Sequence, residues 1–266
     1  MNRHVPYLAE DAIERDAAAL LAEFAHARGI VLEPPIPVED IVEKHLKLRI
    51  EFDNLHARYN IPRPENGQTD ILGAIYGDGS IFIDETLDPE ENPAREGRYR
   101  FTLAHEGGGH WRLHQHLIVE HTAQASLFDG DRAPKFICRS SQAKERVEWQ
   151  ADFYASCLLM PRRLVHAEWR KCFGSGRPFV FSDYRNDPRW IAPRSTWTPF
   201  SEAARNAVSR AAGLDPAENH DFAFDRVAGT LAKTFNVSTQ AMRIRLEGLG
   251  LLLREHPRQG SFSNVA

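Results

Sequence analysis

The chain has 266 residues, of which 42% are hydrophobic and 26% charged, as is usual for a globular protein with a buried core. Its formal net charge of −4 excludes an overall electrostatic attraction to nucleic acid or to an anionic membrane surface. The sequence also lacks an apolar run of about 20 residues, the length that a membrane-spanning helix needs.

The first ten residues and the cysteines bear on the cellular compartment. Residues 1–10 lack the apolar core and the small-residue cleavage site of a signal peptide. Cys138, Cys157 and Cys172 are odd in number and have no C-x-x-C spacing, so they predict neither a disulfide framework nor a cysteine zinc site. We therefore expect a protein of the reducing cytoplasm.

The first third of the chain predicts a helix followed by a small antiparallel sheet. Residues 9–28 carry alanine, leucine and phenylalanine at helical spacing. Residues 46–52 alternate between apolar and charged side chains, as a half-buried strand does. Residues 71–76 and 80–83 are strand candidates on either side of the turn sequence Gly77-Asp78-Gly79, and they predict a hairpin.

The rest of the chain predicts helices and one long loop. Residues 98–116 and 142–160 each predict a long helix. Residues 173–199 are rich in Pro, Gly, Ser and Arg without a regular period, and they predict a surface loop. Residues 222–249 predict a helix, a tight turn and a second helix. We expect one domain over residues 1–200, a helical C-terminal region over 201–256 and a tail over 257–266.

A glutamate between two histidines marks the candidate site. Residues 101–111 read F-T-L-A-H-E-G-G-G-H-W, which is close to the H-E-x-x-H motif of zinc peptidases. In that motif two histidines one helical turn apart bind one Zn²⁺, and the glutamate takes a proton from the zinc-bound water. His105 and His110 are therefore the candidate metal ligands, and Glu106 is the candidate catalytic base.

The two histidines are one residue further apart than the motif requires. On a regular helix the side chains of His105 and His110 would diverge by roughly 140°. The intervening Gly107-Gly108-Gly109 weakens a helix by about 1 kcal/mol per glycine relative to Ala, and it lets the backbone absorb an extra residue as a π-bulge. We therefore predict an irregular helix that brings both histidines to one side. Two alternatives stay open: a helix that has lost its metal, and a site of Glu106, His110 and His114 on a regular helix.

The helix predicted over residues 142–160 supplies a third ligand. Glu148 completes three protein ligands and leaves a fourth position for water, as in catalytic zinc sites. Asp152, one helical turn further on, can accept the outer N–H of a ligating histidine and so fix its tautomer. Glu145, one turn before Glu148, is the nearest competitor for the ligand role.

These motifs resemble those of the ImmA/IrrE family of metallo-endopeptidases. The central likeness lies in F-T-L-A-H-E…G-H-W-x-L-H at residues 101–114 and in E-x-x-A-D-x-x-A-x-x-L-L-M-P at 148–161. Further similar segments in the same order bring the likeness to residues 18–253; they lie at 34–41, 231–238 and 242–251. The chain departs from the family pattern by one extra glycine before His110.

The resemblance implies an α+β fold with a zincin-like metallopeptidase core that holds Zn²⁺. It also implies that the protein cleaves a regulatory protein, often a helix-turn-helix repressor. The alternative is a regulatory module, with or without metal, that binds a repressor or DNA without cutting it.

The last two predicted helices are the part of the sequence that comes closest to a DNA-binding motif. Their apolar residues would face the core and leave Arg243 and Arg245 outward, where arginines could reach phosphates. The core-facing residues would be Ala241, Met242, Leu246 and Leu249. Two arginines near Glu247, in a chain of negative net charge, make a weak electrostatic footprint for DNA. We therefore favour a packing or partner-recognition role for this region.

Overall fold

A computed structural model describes residues 6–64, 71–116, 136–139, 145–182 and 220–256. These residues form helices and a small sheet, which confirms the predicted α+β class. The chain divides into two compact units, Met1–Leu164 with Thr234–Ser238 and Val165–Lys233 with Thr239–Ala266. The predicted boundary at residue 200, residues 183–199 of the predicted loop and the predicted tail lie outside the described residues. Within the described ranges, no helix has the length and apolar character to cross a membrane.

Helix α1 (Glu10–Arg28) opens the first unit and ends where its sequence predicts. Gly29 adopts a φ of 61° and its backbone N–H caps the helix, in a left-handed conformation that glycine adopts readily. The buried face of α1 consists of Ile13, Ala17, Leu20, Leu21 and Phe24. A π-helical turn (Asp40–His45) follows and buries Ile41 and Val42.

A mixed sheet in the strand order β1-β3-β2-β4 forms the second layer of this unit. Its strands are β1 (Arg49–Asp53), β2 (Ile71–Ile75), β3 (Ser80–Asp84) and β4 (Phe136–Arg139). β2 and β3 form the predicted antiparallel hairpin, whereas β1 pairs with β3 in parallel. The prediction of a wholly antiparallel sheet is therefore wrong, because alternation predicts a strand but not the direction of its partner.

The helices that carry the predicted motifs pack together between α1 and the sheet. Helix α3 (Glu96–Ala104) continues directly into a π-helix over His105–Leu113, which we call the glycine π-helix. Helix α4 spans Arg146–Leu159 and packs against the glycine π-helix and α1. The short helix α2 (Leu55–Arg58) lies earlier in the chain. The predicted single helix over residues 98–116 thus changes its hydrogen-bonding pattern at His105.

The second unit contains elements that the sequence analysis missed. Helix α5 (Arg162–Phe173) begins at the end of the first unit, and its buried residues are Val165 and Trp169. Strand β5 (Phe179–Val180) pairs in parallel with strand β6 (Leu252–Leu253). The predicted loop is therefore wrong at residues 179–180, because this pairing partner lies far away in the sequence.

Helices α6 (His220–Phe235) and α7 (Thr239–Gly248) confirm the predicted helix, turn and helix. Met242 and Leu246 are buried, as predicted. Arg245 is also buried, so its predicted outward position is wrong, and Ile244 is exposed in its place. Arg243 forms ion pairs with three carboxylates, those of Asp221, Asp225 and Glu247.

Candidate metal centre

His105 and His110 lie on the glycine π-helix with their imidazoles facing each other. Their Nε2 atoms are 3.0 Å apart, and both side chains are buried. In a π-helix the backbone hydrogen bond joins residues five apart, so such residues lie near one face of the helix. The predicted helix irregularity is therefore confirmed, and the extra residue between the histidines allows the two rings to meet.

The three glycines between these histidines lie against neighbouring elements. A carbon–carbon contact is optimal at about 3.5 Å or more, so a closer approach leaves no room for a side chain. The nearest atom to an added Cβ would be 2.7 Å away at Gly107 (Val42), 2.7 Å at Gly108 (Tyr154) and 2.6 Å at Gly109 (Ala151). Gly108 and Gly109 therefore also allow α4 to approach the histidines closely.

Glu148 on α4 brings a carboxylate to the two imidazoles. Its Oε2 lies 3.1 Å from His105 Nε2, and its Oε1 lies 3.5 Å from His110 Nε2. The donor atoms of these three buried residues all lie within 4.8 Å of one another, so the group could hold a metal ion. The alternative set of Glu106, His110 and His114 does not converge in the described part of the chain.

Asp152 determines where the proton of His105 lies. Its Oδ1 is 2.8 Å from His105 Nδ1, and an ionised carboxylate can only accept a hydrogen bond, so Nδ1 donates. His105 Nε2 then directs its lone pair towards Glu148 and His110 unless a proton occupies it. Lone pairs of three donor atoms in contact repel one another, and a cation between them removes the repulsion. The donor set therefore fits a metal ion.

The pKa values of the three donors have one physical explanation. Burial opposes the charged form of His105, yet Cys138, Asp152 and Glu148 outweigh it and raise the His105 pKa well above its usual value. Burial likewise opposes ionisation of Glu148, but the hydrogen bond from protonated His105 outweighs it and lowers the Glu148 pKa. Burial lowers the pKa of His110 to about 4. In the metal-free cluster, a proton on His105 thus lies between the donor atoms that a bound metal ion would contact.

Glu106 lies beside this cluster with its carboxylate fully buried. Neither of its oxygens has a hydrogen-bond partner in the described residues. Burial, together with the negative charges of Glu148 and Asp152, raises the pKa of Glu106 to about 8. An added Cβ at Gly73 of β2 would lie 2.9 Å from Glu106 Oε1, so a glycine is needed where the strand passes the carboxylate.

Strand β4 contributes two side chains that the sequence analysis did not assign to the site. The Phe136 ring stacks on His110, with ring centroids 4.2 Å apart and an interplanar angle of 3°. Cys138 is buried, and its thiol lies within 4.8 Å of donor atoms of His105 and Glu106. Spacing along the chain could not predict these contacts, because β4 reaches the site by pairing with β2.

Two comparisons with known proteins found no match to this chain. No protein-family profile matches the chain. No curated protein matches it significantly either. The assignment of a function therefore depends on the motifs and on the geometry of the metal centre.

Proposed function

We propose that the protein is a zinc-dependent endopeptidase with a zincin-like core, similar to the ImmA/IrrE family that its motifs resemble. One observation carries the proposal: three metal-ligating atoms converge beside a buried carboxylate, that of Glu106, which has no hydrogen-bond partner among the described residues. A structural helix has no use for an unsatisfied buried carboxylate, since such a group costs free energy. A peptidase uses such a carboxylate as its catalytic base.

The donor set and its spacing support zinc as the metal. Two imidazole nitrogens and one carboxylate oxygen are the protein ligands of several catalytic zinc sites. With metal–ligand bonds of about 2.0–2.1 Å, the ligand atoms of a tetrahedral site lie about 3.3 Å apart. The observed separations among His105, His110 and Glu148 are 3.0, 3.1 and 3.5 Å. We therefore assign these three residues as the zinc ligands.

Each polar residue around the ligands then has a defined role in peptide hydrolysis. A zinc ion held by His105, His110 and Glu148 would supply Lewis acidity and lower the pKa of a coordinated water towards about 7. Glu106 would accept a proton from the attacking water and later donate it to the leaving amine. Burial raises the pKa of Glu106 in the metal-free chain, and the positive charge of a zinc ion beside it would oppose that rise and favour the ionised carboxylate. Asp152 holds His105 in the tautomer that presents Nε2.

We further propose that the substrate is a regulatory protein such as a helix-turn-helix repressor. This substrate class comes from the family resemblance alone. The alternative is a module that binds a repressor or DNA without cutting it. The ion pairs of Arg243 with three carboxylates argue against DNA recognition through helix α7, because the guanidinium is already neutralised within the chain.

The Glu106→Gln variant tests the proposed hydrolysis. Gln is nearly isosteric with Glu but cannot accept the proton, and general-base assistance contributes about 10²- to 10⁴-fold in rate. We expect the variant to retain zinc by elemental analysis and to lose cleavage of a repressor encoded beside this chain. Glu145→Gln, which removes an exposed carboxylate at the start of α4, should retain both. Equal cleavage by wild type and Glu106→Gln would contradict the proposal.

A further inference from the structure

A chain of hydrogen bonds lies directly behind His110, on the side away from His105. His110 Nδ1 is 3.3 Å from His114 Nδ1, and His114 Nε2 is 2.9 Å from Gln150 Oε1. Gln150 Nε2 donates in turn to the backbone carbonyl of Pro6 at 2.9 Å. The His110, His114 and Gln150 side chains are all buried, with at most 1% exposure. We call this chain from Pro6 to His110 the Gln150 relay.

The direction of every hydrogen bond in the Gln150 relay follows from its outer end. A backbone carbonyl can only accept, so the amide nitrogen of Gln150 faces Pro6 and its oxygen faces His114. An amide oxygen can only accept, so His114 Nε2 carries the proton that it donates to Gln150. His114 Nδ1 is then the acceptor of the neutral ring, and His110 Nδ1 donates to it.

We propose that Gln150 and His114 are positioning residues that hold His110 as the Nδ1–H tautomer and direct its Nε2 lone pair at the metal. This inference rests on the proposed metal centre. Two Nδ1 atoms 3.3 Å apart can share one proton but cannot carry one each, so the protonation of His114 Nε2 determines which ring holds it. Of the two candidate histidine ligands, His105 is oriented by the charged Asp152, whereas His110 is oriented by a neutral chain that ends at a backbone carbonyl.

Two substitutions at His114 separate a positioning role from a packing role. His114→Asp places an acceptor behind His110 Nδ1, because a carboxylate there acts as Asp152 does on His105. His114→Leu has nearly the same shape as the Asp variant but cannot accept a hydrogen bond. Gln150→Met is nearly isosteric with Gln and removes the acceptor from the outer end of the relay. Circular dichroism of each variant verifies the fold.

The first measurement is the tautomer of His110 in the metal-free protein with ¹⁵N-labelled histidine. Nitrogen chemical shifts should report a protonated Nδ1 and an unprotonated Nε2 in the wild type and in His114→Asp. His114→Leu and Gln150→Met should give mixed tautomers. This measurement needs no metal, so it tests the Gln150 relay even if the wild type binds no zinc. A failure to bind zinc would refute the proposed function but not the Gln150 relay.

The second measurement is zinc affinity by competition with a chelator. Removing a partner of a ligating histidine typically costs about 10- to 100-fold in metal affinity. We expect that loss for His114→Leu and Gln150→Met, and a smaller loss for His114→Asp, which restores an acceptor behind His110. A wild-type His110 protonated at Nε2 overturns the inference. An unchanged tautomer in both His114→Leu and Gln150→Met also overturns it.

Discussion

Three carboxylates meet the histidines of the metal centre in different surroundings. Glu148 accepts a hydrogen bond from protonated His105, which lowers its pKa in spite of burial. Asp152 is partly exposed and binds the far nitrogen of His105. Glu106 is buried without a partner in the described residues, and its pKa rises to about 8. The proposed roles of ligand, orienting group and base are consistent with the surroundings of each carboxylate.

The raised pKa of Glu106 predicts that the stability of the metal-free protein depends on pH. The folded chain retains the Glu106 proton up to about pH 8, whereas the unfolded chain releases it near the ordinary value of 4.5. Because the folded state binds more protons in this range, the free energy of unfolding should fall as the pH rises through it. Urea unfolding in the presence of a chelator measures this fall.

The Glu106→Gln variant is the control for this pH dependence. It has no titratable proton at position 106, so its free energy of unfolding should fall less steeply between pH 4.5 and pH 8. The pKa of His105 is also raised, so His105 makes the free energy of unfolding fall with rising pH in both proteins. A variant with the wild-type slope would contradict the role given to Glu106 burial.

The Asp152→Asn variant should bind zinc about 10-fold more weakly, at the lower end of the range for lost hydrogen-bond partners of ligating histidines. The Asn oxygen can still accept from His105 Nδ1, but the neutral amide no longer strengthens that imidazole as a ligand. Asp16→Asn is a suitable control, since Asp16 accepts from Tyr154 of the same helix and touches no proposed ligand. Equal losses in the two variants would mean a general effect of charge near α4.

At the scale of elements, the glycine π-helix and α4 depend on each other. Gly109 lies so close to Ala151 that any side chain would push α4 away, and α4 carries Glu148 and Asp152. The π-helix turns His110 towards His105, and the close contact with α4 brings in the third donor. The glycine π-helix thus determines the direction of the histidines, and its Gly108 and Gly109 also allow the close approach of α4 that brings in the Glu148 carboxylate.

The Gly109→Ala variant should separate the two helices. Its added Cβ would lie 2.6 Å from both Cα and Cβ of Ala151, and overpacking of this kind costs about 1–3 kcal/mol. We expect a lower free energy of unfolding in urea together with weaker zinc binding, because Glu148 moves with α4. Gly229→Ala in α6 is the control, since its Cβ would meet nothing closer than 3.8 Å. The free energy of unfolding of that control should rise by about 1 kcal/mol, because Ala favours a helix more than Gly does. A Gly109→Ala protein as stable as the Gly229→Ala protein would refute the packing argument.

Local patterns predicted the elements that local interactions determine. Helix α1 with its Gly29 cap, the hairpin of β2 and β3, and the pair α6 and α7 all follow from periodicity and turn residues. The parallel pairing of β1 with β3, and that of β5 with β6, join residues far apart in sequence, which periodicity does not report. At the site, the glycine run between the histidines predicted that they face each other, but Phe136 and Cys138 reach the site through strand pairing and carry no sequence signal.

At the scale of the whole molecule, the positive charge on helix α7 pairs with carboxylates of the chain and is not exposed to a polyanion such as DNA. The net charge is −4, and Arg243, the arginine best placed for DNA on helix α7, pairs with three carboxylates. Arg245 is buried. This distribution argues against nucleic-acid recognition through the arginines of helix α7.

The most direct test of the metal centre is an anomalous-scattering map of zinc-loaded crystals, recorded at the zinc absorption edge. The account predicts one peak bonded to His105 Nε2, His110 Nε2 and a Glu148 carboxylate oxygen, at about 2.0–2.2 Å from each. Glu106 should lie outside the set of ligands. A peak ligated by Glu106, His110 and His114, or the absence of any peak between His105 and His110, would contradict the central claim.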